Sequence, residues 1–324
     1  MRFSENLPPA IILSGPTASG KSQIALDIAN NFPVEIISVD SAQVYRLMDI
    51  GTAKPGPETL AQTPHHLINM INPDESYSAA QFRQDALKIM DEICQRNKIP
   101  LLVGGTMLYF RALQEGLSVL PSADKKLRQD LEAMAKEIGW PAMHRKLSEM
   151  DEETAARIKP TDSQRIQRAL EVCYLTQQPM SKILRSPRQA EFPFRTIHIA
   201  LIPSNRVELH QRIAKRFEAM LDLGLIEEVR FIRQRYPDLS LESPSMRCVG
   251  YRQACLYLDN IIDDKALFDM GIAATRQLAK RQLTWLRNMK ITDTLFEFDC
   301  LEKNLTTQIN NLLGNTIPAY LDRI

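Results

Sequence analysis

Eight consecutive residues, Gly15, Pro16, Thr17, Ala18, Ser19, Gly20, Lys21 and Ser22, have the spacing G-x-x-x-x-G-K-[ST]. That spacing makes a phosphate loop. Its glycines let backbone N–H groups converge on phosphate oxygens, Lys21 brings a point charge, and Ser22 offers a hydroxyl to Mg²⁺. The flanks agree with it: Ala10-Ile11-Ile12-Leu13 is a short apolar run of the kind that forms a buried strand. After the loop, Ile24, Ala25, Ile28 and Ala29 recur at helical spacing, so a helix opens with its N-terminus toward the ligand. Such a loop holds a di- or triphosphate without saying what happens to it.

A second apolar run, 34–39, ends in Asp40-Ser41-Ala42-Gln43. A carboxylate at that place has three readings: an Mg²⁺ ligand, a general base, or a cap for the backbone that follows. A third run, 100–103, ends in Gly104-Gly105-Thr106, where an ATPase or GTPase would have a Walker-B acid. Its absence favours Asp40 as a base. The glycine pair fits either close approach of a ligand or a plain tight turn.

Basic residues cluster locally. In ATRQLAKRQLTWLRN, Arg276, Lys280 and Arg287 fall within about 40° on a helical wheel, with Leu278 and Trp285 opposite, and no acid interrupts 275–288. Solvated helix faces usually alternate sign, so a contact with nucleic-acid phosphates competes with the bland reading. Gln164, Arg165 and Arg168 share another face, and Arg247 and Arg252 flank Gly250-Tyr251, a tyrosine able to stack on a base or to pack. Glu208, Arg212 and Arg216 stand at i, i+4 intervals, either as a surface ion-pair ladder or with an arginine reaching a phosphate.

These residues need a scaffold. The runs 10–13, 34–39, 100–103 and 196–202 are short and aliphatic and alternate with helical patterns, among them 78–98, where Ser78-x-x-Gln81 forms a capping box. The expected fold is α/β, a parallel-sheet core like that of the P-loop NTPases, with ligands at the carboxyl ends of the strands. From 116 to 190 only helical patterns occur, with Leu127, Leu131, Met134 and Ile138 on one face and Ile166, Ala169, Leu170 and Cys173 on another. The expected organisation is therefore a core over 1–115, an all-helical insertion domain over 116–190, and a second part of the core with C-terminal helices over 191–324. Such an insertion is expected to move relative to the core, as lids over phosphate sites commonly do.

Composition sets limits. Lys+Arg of 40 against Asp+Glu of 39 leave a formal charge of +1, so total charge argues neither for nor against nucleic acid. Five scattered cysteines with no C-x-x-C pair read as free thiols in a reducing compartment, and adjacent His65 and His66 are not a metal pair. MRFSENLPPA is not a signal peptide, and no apolar run approaches a membrane span, so a soluble cytoplasmic protein with no membrane partner is expected.

GPTASGKS, ISVDSAQVYR followed by MDIGTAKP, LLVGGTMLYF, the LPSAD turn, RCVGYRQ and TRQLAKRQLTWLR together closely resemble the bacterial tRNA dimethylallyltransferases, also called tRNA isopentenyltransferases, from residue 10 to residue 290. The family often has Thr where this chain has Ser22; the hydroxyl is kept. The resemblance implies transfer of a dimethylallyl group from dimethylallyl diphosphate to N6 of the adenosine 3′ of the anticodon; Mg²⁺ as cofactor and a monomeric state are further expectations. It makes the loop the holder of a leaving group, Asp40 the base, and Thr17 and Arg216 contacts to the diphosphate near the scissile oxygen. It also implies an RNA surface built from Asp40, Ser41, Ala42, Gln43, Thr106, Arg128, Gln164, Arg165, Ile166, Gln167 and Arg168. To these it adds Arg247, Cys248, Val249, Gly250, Tyr251 and Arg252, then Lys280, Arg281, Gln282, Leu283, Thr284, Trp285, Leu286 and Arg287, with the insertion clamping the anticodon stem-loop. The alternative is a nucleotide-dependent small-molecule kinase, which leaves the basic helix without a task.

Overall fold

The computed structural model describes residues 7–185, 192–288 and 295–321. They divide into two compact units, residues 1–113 with 192–324, and Gln114–Glu191.

In the first unit the order is β1 (Pro9–Ser14), α1 (Lys21–Asn31), β2 (Val34–Val39), α2 (Pro57–Gln62), β3 (His65–His66), α3 (Ala79–Gln95), β4 (Ile99–Gly104) and α4 (Met107–Glu115). The second unit contributes α5 (Lys125–Ile138), α6 (Trp140–Met150), α7 (Glu152–Arg157), α8 (Ser163–Thr176) and α9 (Met180–Leu184). The first unit resumes with β5 (Arg195–Ile202), α10 (Arg206–Asp222), α11 (Leu225–Arg235), α12 (Tyr251–Leu258), α13 (Asp264–Asn288), β6 (Leu295–Asp299) and α14 (Leu305–Leu321).

The six strands form one parallel sheet in the order β3-β2-β4-β1-β5-β6. Central strands β1 and β2 are buried along their whole length, which is why their sequences read as continuous apolar runs rather than as alternation. In register, Ser14 lies beside Gly104, and Gly104 beside Val39. A Cβ on Gly104 would collide with the Val39 carbonyl, so glycine there permits the close approach of β2 and β4. The three strand ends deliver Gly15, Asp40 and Gly105 to one edge of the sheet.

One sheet face packs on α3, α4 and α10 to α13 through residues such as Ile12, Ile37, Phe82, Phe110, Phe217 and Leu283. The other packs on α1 and α14, where Ile24 and Ile28 meet Ile309 and Leu313. Helix α3 begins with the capping box expected from its sequence, Ser78 accepting from Gln81 N–H at 3.1 Å and Gln81 from Ser78 N–H at 2.8 Å.

The chain does not continue in helices alone after Ile202. Strand β6 pairs with β5, and α14 covers a core face with Leu305, Ile309, Leu313 and Ile317. His65 and His66 form a two-residue edge strand, with His66 Nε2 at 2.8 Å from Glu35.

In the helical unit Leu131, Met143, Leu147, Ile166, Leu170 and Cys173 make a separate core, while Ile138, expected on the apolar face of α5, is exposed. Glu171 is fully buried there. It accepts from Asp124 N–H at 2.9 Å and from Arg128 Nε at 2.8 Å and Nη2 at 3.0 Å, and it pairs with Arg168. Those donors hold its carboxyl below the usual range against the cost of burial. Among the described residues no helix is long and apolar enough to cross a membrane.

Candidate functional site

A cavity of about 480 Å³ opens at the carboxyl ends of the strands. Among its lining residues are Thr17 to Ser22 of the loop, Asp40, Ala42 and Gln43 after β2, Arg216 of α10, Cys248 to Tyr251, and Gln282 of α13.

The loop turns through left-handed backbone at Ala18 (φ 63°) and Gly20 (φ 83°), and α1 starts immediately afterward. No side chain caps that helix, so the N–H groups of its first turn face the cavity without an internal partner. Lys21 folds back over the loop, donating to the carbonyls of Gly15 at 2.8 Å and Pro16 at 2.6 Å. Lost hydration, then the nearby Arg216, lower its pKa to about 7. Burial also lowers the pKa of Arg216, which forms no hydrogen bond or ion pair with any described residue. Both readings of α10 apply to different residues: Arg212 pairs with Glu208 at 3.0 Å, and Arg216 lines the cavity. Two basic side chains and a row of amides make an anion cradle, and the Asp40 carboxylate is close enough to favour the charged form of both.

Asp40 is divided between two of the roles its sequence allowed. Its Oδ1 accepts from Ala42 N–H at 2.8 Å and Gln43 N–H at 3.4 Å, capping a turn, while Oδ2 has no hydrogen bond to a described residue. Thr106 does not line the cavity; its Oγ1 accepts from Ser41 N–H at 3.0 Å, tying the end of β4 to the turn after β2. Cys248 faces Asp40, and burial pushes its thiol up to about 12, so it is an uncharged wall of the site.

Two organising residues are not among the candidates read from the sequence. Glu228 of α11 accepts from the N–H groups of Asp49 (3.0 Å), Ile50 (2.7 Å) and Gly51 (3.3 Å) and from Tyr251 Oη (2.5 Å). Lys54, almost fully buried, donates to Tyr45 O, Asp49 Oδ1 and Asn69 Oδ1 at 2.6–2.8 Å. Together they hold the MDIGTAKP segment as the cavity's far wall.

Several residues of the expected RNA surface have partners within the protein. Tyr251 is fully buried, its ring where any side chain on Gly51 would stand, so it packs and does not stack on a base. Ile166, Leu283 and Leu286 are core side chains. Trp285 is not on the hidden side of α13; it is 36% exposed, with Arg111 over its ring at 5.9 Å. Arg128 and Arg168 are committed to Glu171, and Arg168 also donates to Pro121 O. Gln167 donates to Arg128 O and Glu132. Arg165 sits 3.5 Å from Asp162 and Arg252 4.0 Å from Glu242, while Gln164 and Arg247 also have partners. By contrast Arg276, Lys280, Arg281 and Arg287 are exposed and have no hydrogen bond or ion pair with a described residue; Thr284 beside them bonds its own helix.

Three comparisons bear on this site. The family model described as IPP transferase matches residues 43–289. The tRNA dimethylallyltransferase of Nitrosospira multiformis is 63% identical over 309 residues, 95% of this chain and 94% of that protein, and that of Nitrosomonas europaea is 60% identical over 306 residues, 94% and 95%. Among solved structures, the tRNA isopentenylpyrophosphate transferase of Bacillus halodurans aligns with a TM-score of 0.69 at 33% identity, covering 98% of this chain and 99% of that one. A eukaryotic dimethylallyltransferase described as acting on tRNA aligns with a TM-score of 0.79 at 25% identity, covering 96% and 80%.

Proposed function

The chain belongs to the IPP transferase family, and from that premise we propose that it transfers a dimethylallyl group from dimethylallyl diphosphate to N6 of the adenosine 3′-adjacent to the anticodon of tRNA. One observation carries the reading: the anion cradle and a carboxylate with an uncommitted oxygen face the same cavity.

The diphosphate lies on the amides of the loop and α1, between Lys21 and Arg216. Breaking the allylic C–O bond places charge on the departing diphosphate, and fixed donors aimed at it act most strongly where water is excluded. Thr17 lines the same cavity, and its side chain, rather than its occupied N–H, would meet the scissile oxygen. The N6 amine is a poor nucleophile because its lone pair is delocalised into the ring. As the N–C bond forms, its proton passes to Asp40 Oδ2, which the turn leaves free, and diphosphate departs. The target base leaves the anticodon loop's stack to enter the cavity. The exposed cations of α13 are the RNA-phosphate contacts, which position the substrate without reading its sequence.

Mg²⁺ fits the donor set in one way. Among the described residues no group of three His, Cys, Asp or Glu side chains could hold it, whereas the Ser22 hydroxyl lines the cavity with no other partner. Ser22 would hold an ion bound chiefly by substrate phosphates and water, and the ion would supply charge neutralisation for the leaving group.

Incubating the protein with Mg²⁺, unmodified tRNA and either dimethylallyl diphosphate or ATP, then weighing the RNA, tests the reading. A gain of one dimethylallyl group with the first donor alone is expected. Phosphate transfer from ATP to any acceptor would refute it.

A further inference from the structure

A phosphate loop accepts diphosphates and triphosphates alike, because its grip is a row of backbone N–H groups. One donor in this row is already occupied. Thr17 N–H donates to Gln282 Oε1 at 2.8 Å, across 265 residues of sequence. The same carboxamide donates from Nε2 to Gly105 O at 2.9 Å. It is buried, and a Cβ on Gly105 would collide with Nε2, so the glycine at the β4 end makes room for it. Held at both ends, the carboxamide keeps its carbonyl oxygen where an additional phosphate oxygen would have to sit to reach Thr17 N–H.

We infer that Gln282 is a specificity-determining residue that ends the anion cradle before Thr17, so that the loop takes a diphosphate and refuses a triphosphate. The inference rests on the proposed diphosphate site and deepens it. The amides at the start of α1, with Lys21 and Arg216, remain available to two phosphates. A third phosphate extending back along the loop meets a carbonyl dipole of the wrong sign instead of a free donor.

Calorimetric titration of the full chain with inorganic diphosphate and with inorganic tripolyphosphate, both in Mg²⁺, tests this without tRNA or a prenyl donor. Wild type is expected to prefer diphosphate although tripolyphosphate carries more charge. Gln282→Ala frees the amide and the space, and should move the affinity ratio toward tripolyphosphate by about tenfold to a hundredfold, the worth of one hydrogen bond to a charged group. Gln282→Glu keeps an acceptor for Thr17 and adds a negative charge there, so it should move the ratio the other way. Ratios are insensitive to a partly unfolded sample, and if Gln282→Ala does not fold, the Glu variant decides alone. An unmoved ratio, or a wild type that prefers tripolyphosphate, overturns the inference and leaves the diphosphate site intact. Failure of every form to bind either anion overturns both.

Discussion

Arginines in α5 and α8 and cations along α13 look interchangeable in sequence, yet the structure treats them in opposite ways. Arg128 and Arg168 close on Glu171, a carboxylate with no exposed surface, and the cluster is wired into the core of the helical unit. Arg276, Lys280, Arg281 and Arg287 lie over a helix whose hidden side is Ala279, Gln282, Leu283 and Leu286, and among the described residues no carboxylate pairs with them. A cation with a buried partner has already given its charge to folding. One with none still has it to offer to a phosphate. Asp40 lies between these extremes, with one oxygen in a turn and the other free.

The sharpest way to test that division is at Asp40. Asp40→Asn preserves the acceptor that caps the turn and removes the base, so turnover should fall by about 10²–10⁴-fold with tRNA affinity unchanged. Equal turnover in variant and wild type would make the turn its whole task.

Next in size is Glu171. Glu171→Gln leaves two guanidinium groups without their counter-ion and should destabilise the helical unit by about 2 kcal/mol, less than a fully buried pair costs because both arginines still reach water. Amide exchange in α5 and α8 would report it, with inorganic diphosphate affinity unaltered.

A smaller effect is expected on α13. Replacing Arg276, Lys280 and Arg287 together by Gln should make log K for tRNA less steep in log salt by about two, at ~0.7 per phosphate contact for single strands, with stability held. The comparison breaks if Arg128→Gln flattens the salt slope as much as this triple change does.

The smallest effect is a proton. Burial, then the nearby Arg216, bring the pKa of Lys21 down to about 7, so above that pH the free protein has mostly lost the proton. A bound anion favours the charged form. Diphosphate binding should therefore take up about one proton per protein at pH 8–9, and affinity should fall by up to about tenfold per pH unit there. Titrations in buffers of different ionisation enthalpy would measure it; no proton uptake would mean that Lys21 stays charged without ligand.

Much of this site was legible because it is local. The phosphate loop, the strand run that precedes Asp40 and the capping box of α3 each lie within a few residues, and local backbone chemistry decides them. What escaped reading depends on partners far along the chain. Gln282 meets Thr17 across 265 residues, Glu228 meets Gly51 across 177, and nothing near either one announces it. Arg128 reads as a free cation until Glu171 is seen to point at it. Strand β6 was missed because LFEFD lies at the sheet edge, half-exposed, without the apolar run that marks β1 and β2. Tyr251 was open to two readings, and the absence of a side chain on Gly51 decided for packing.

Helix α14 lines none of the cavity, yet it seals one face of the sheet. During synthesis it leaves the ribosome after every residue of the site, so for a time a nascent chain has all of its chemistry and only part of its cover, with Ile197, Ile199 and Leu201 of β5 wanting a neighbour. Chaperones recognise such surfaces, and quality control removes chains that keep them. A message truncated before α14 would therefore yield a product with a complete site but a short lifetime, its abundance rather than its turnover failing first.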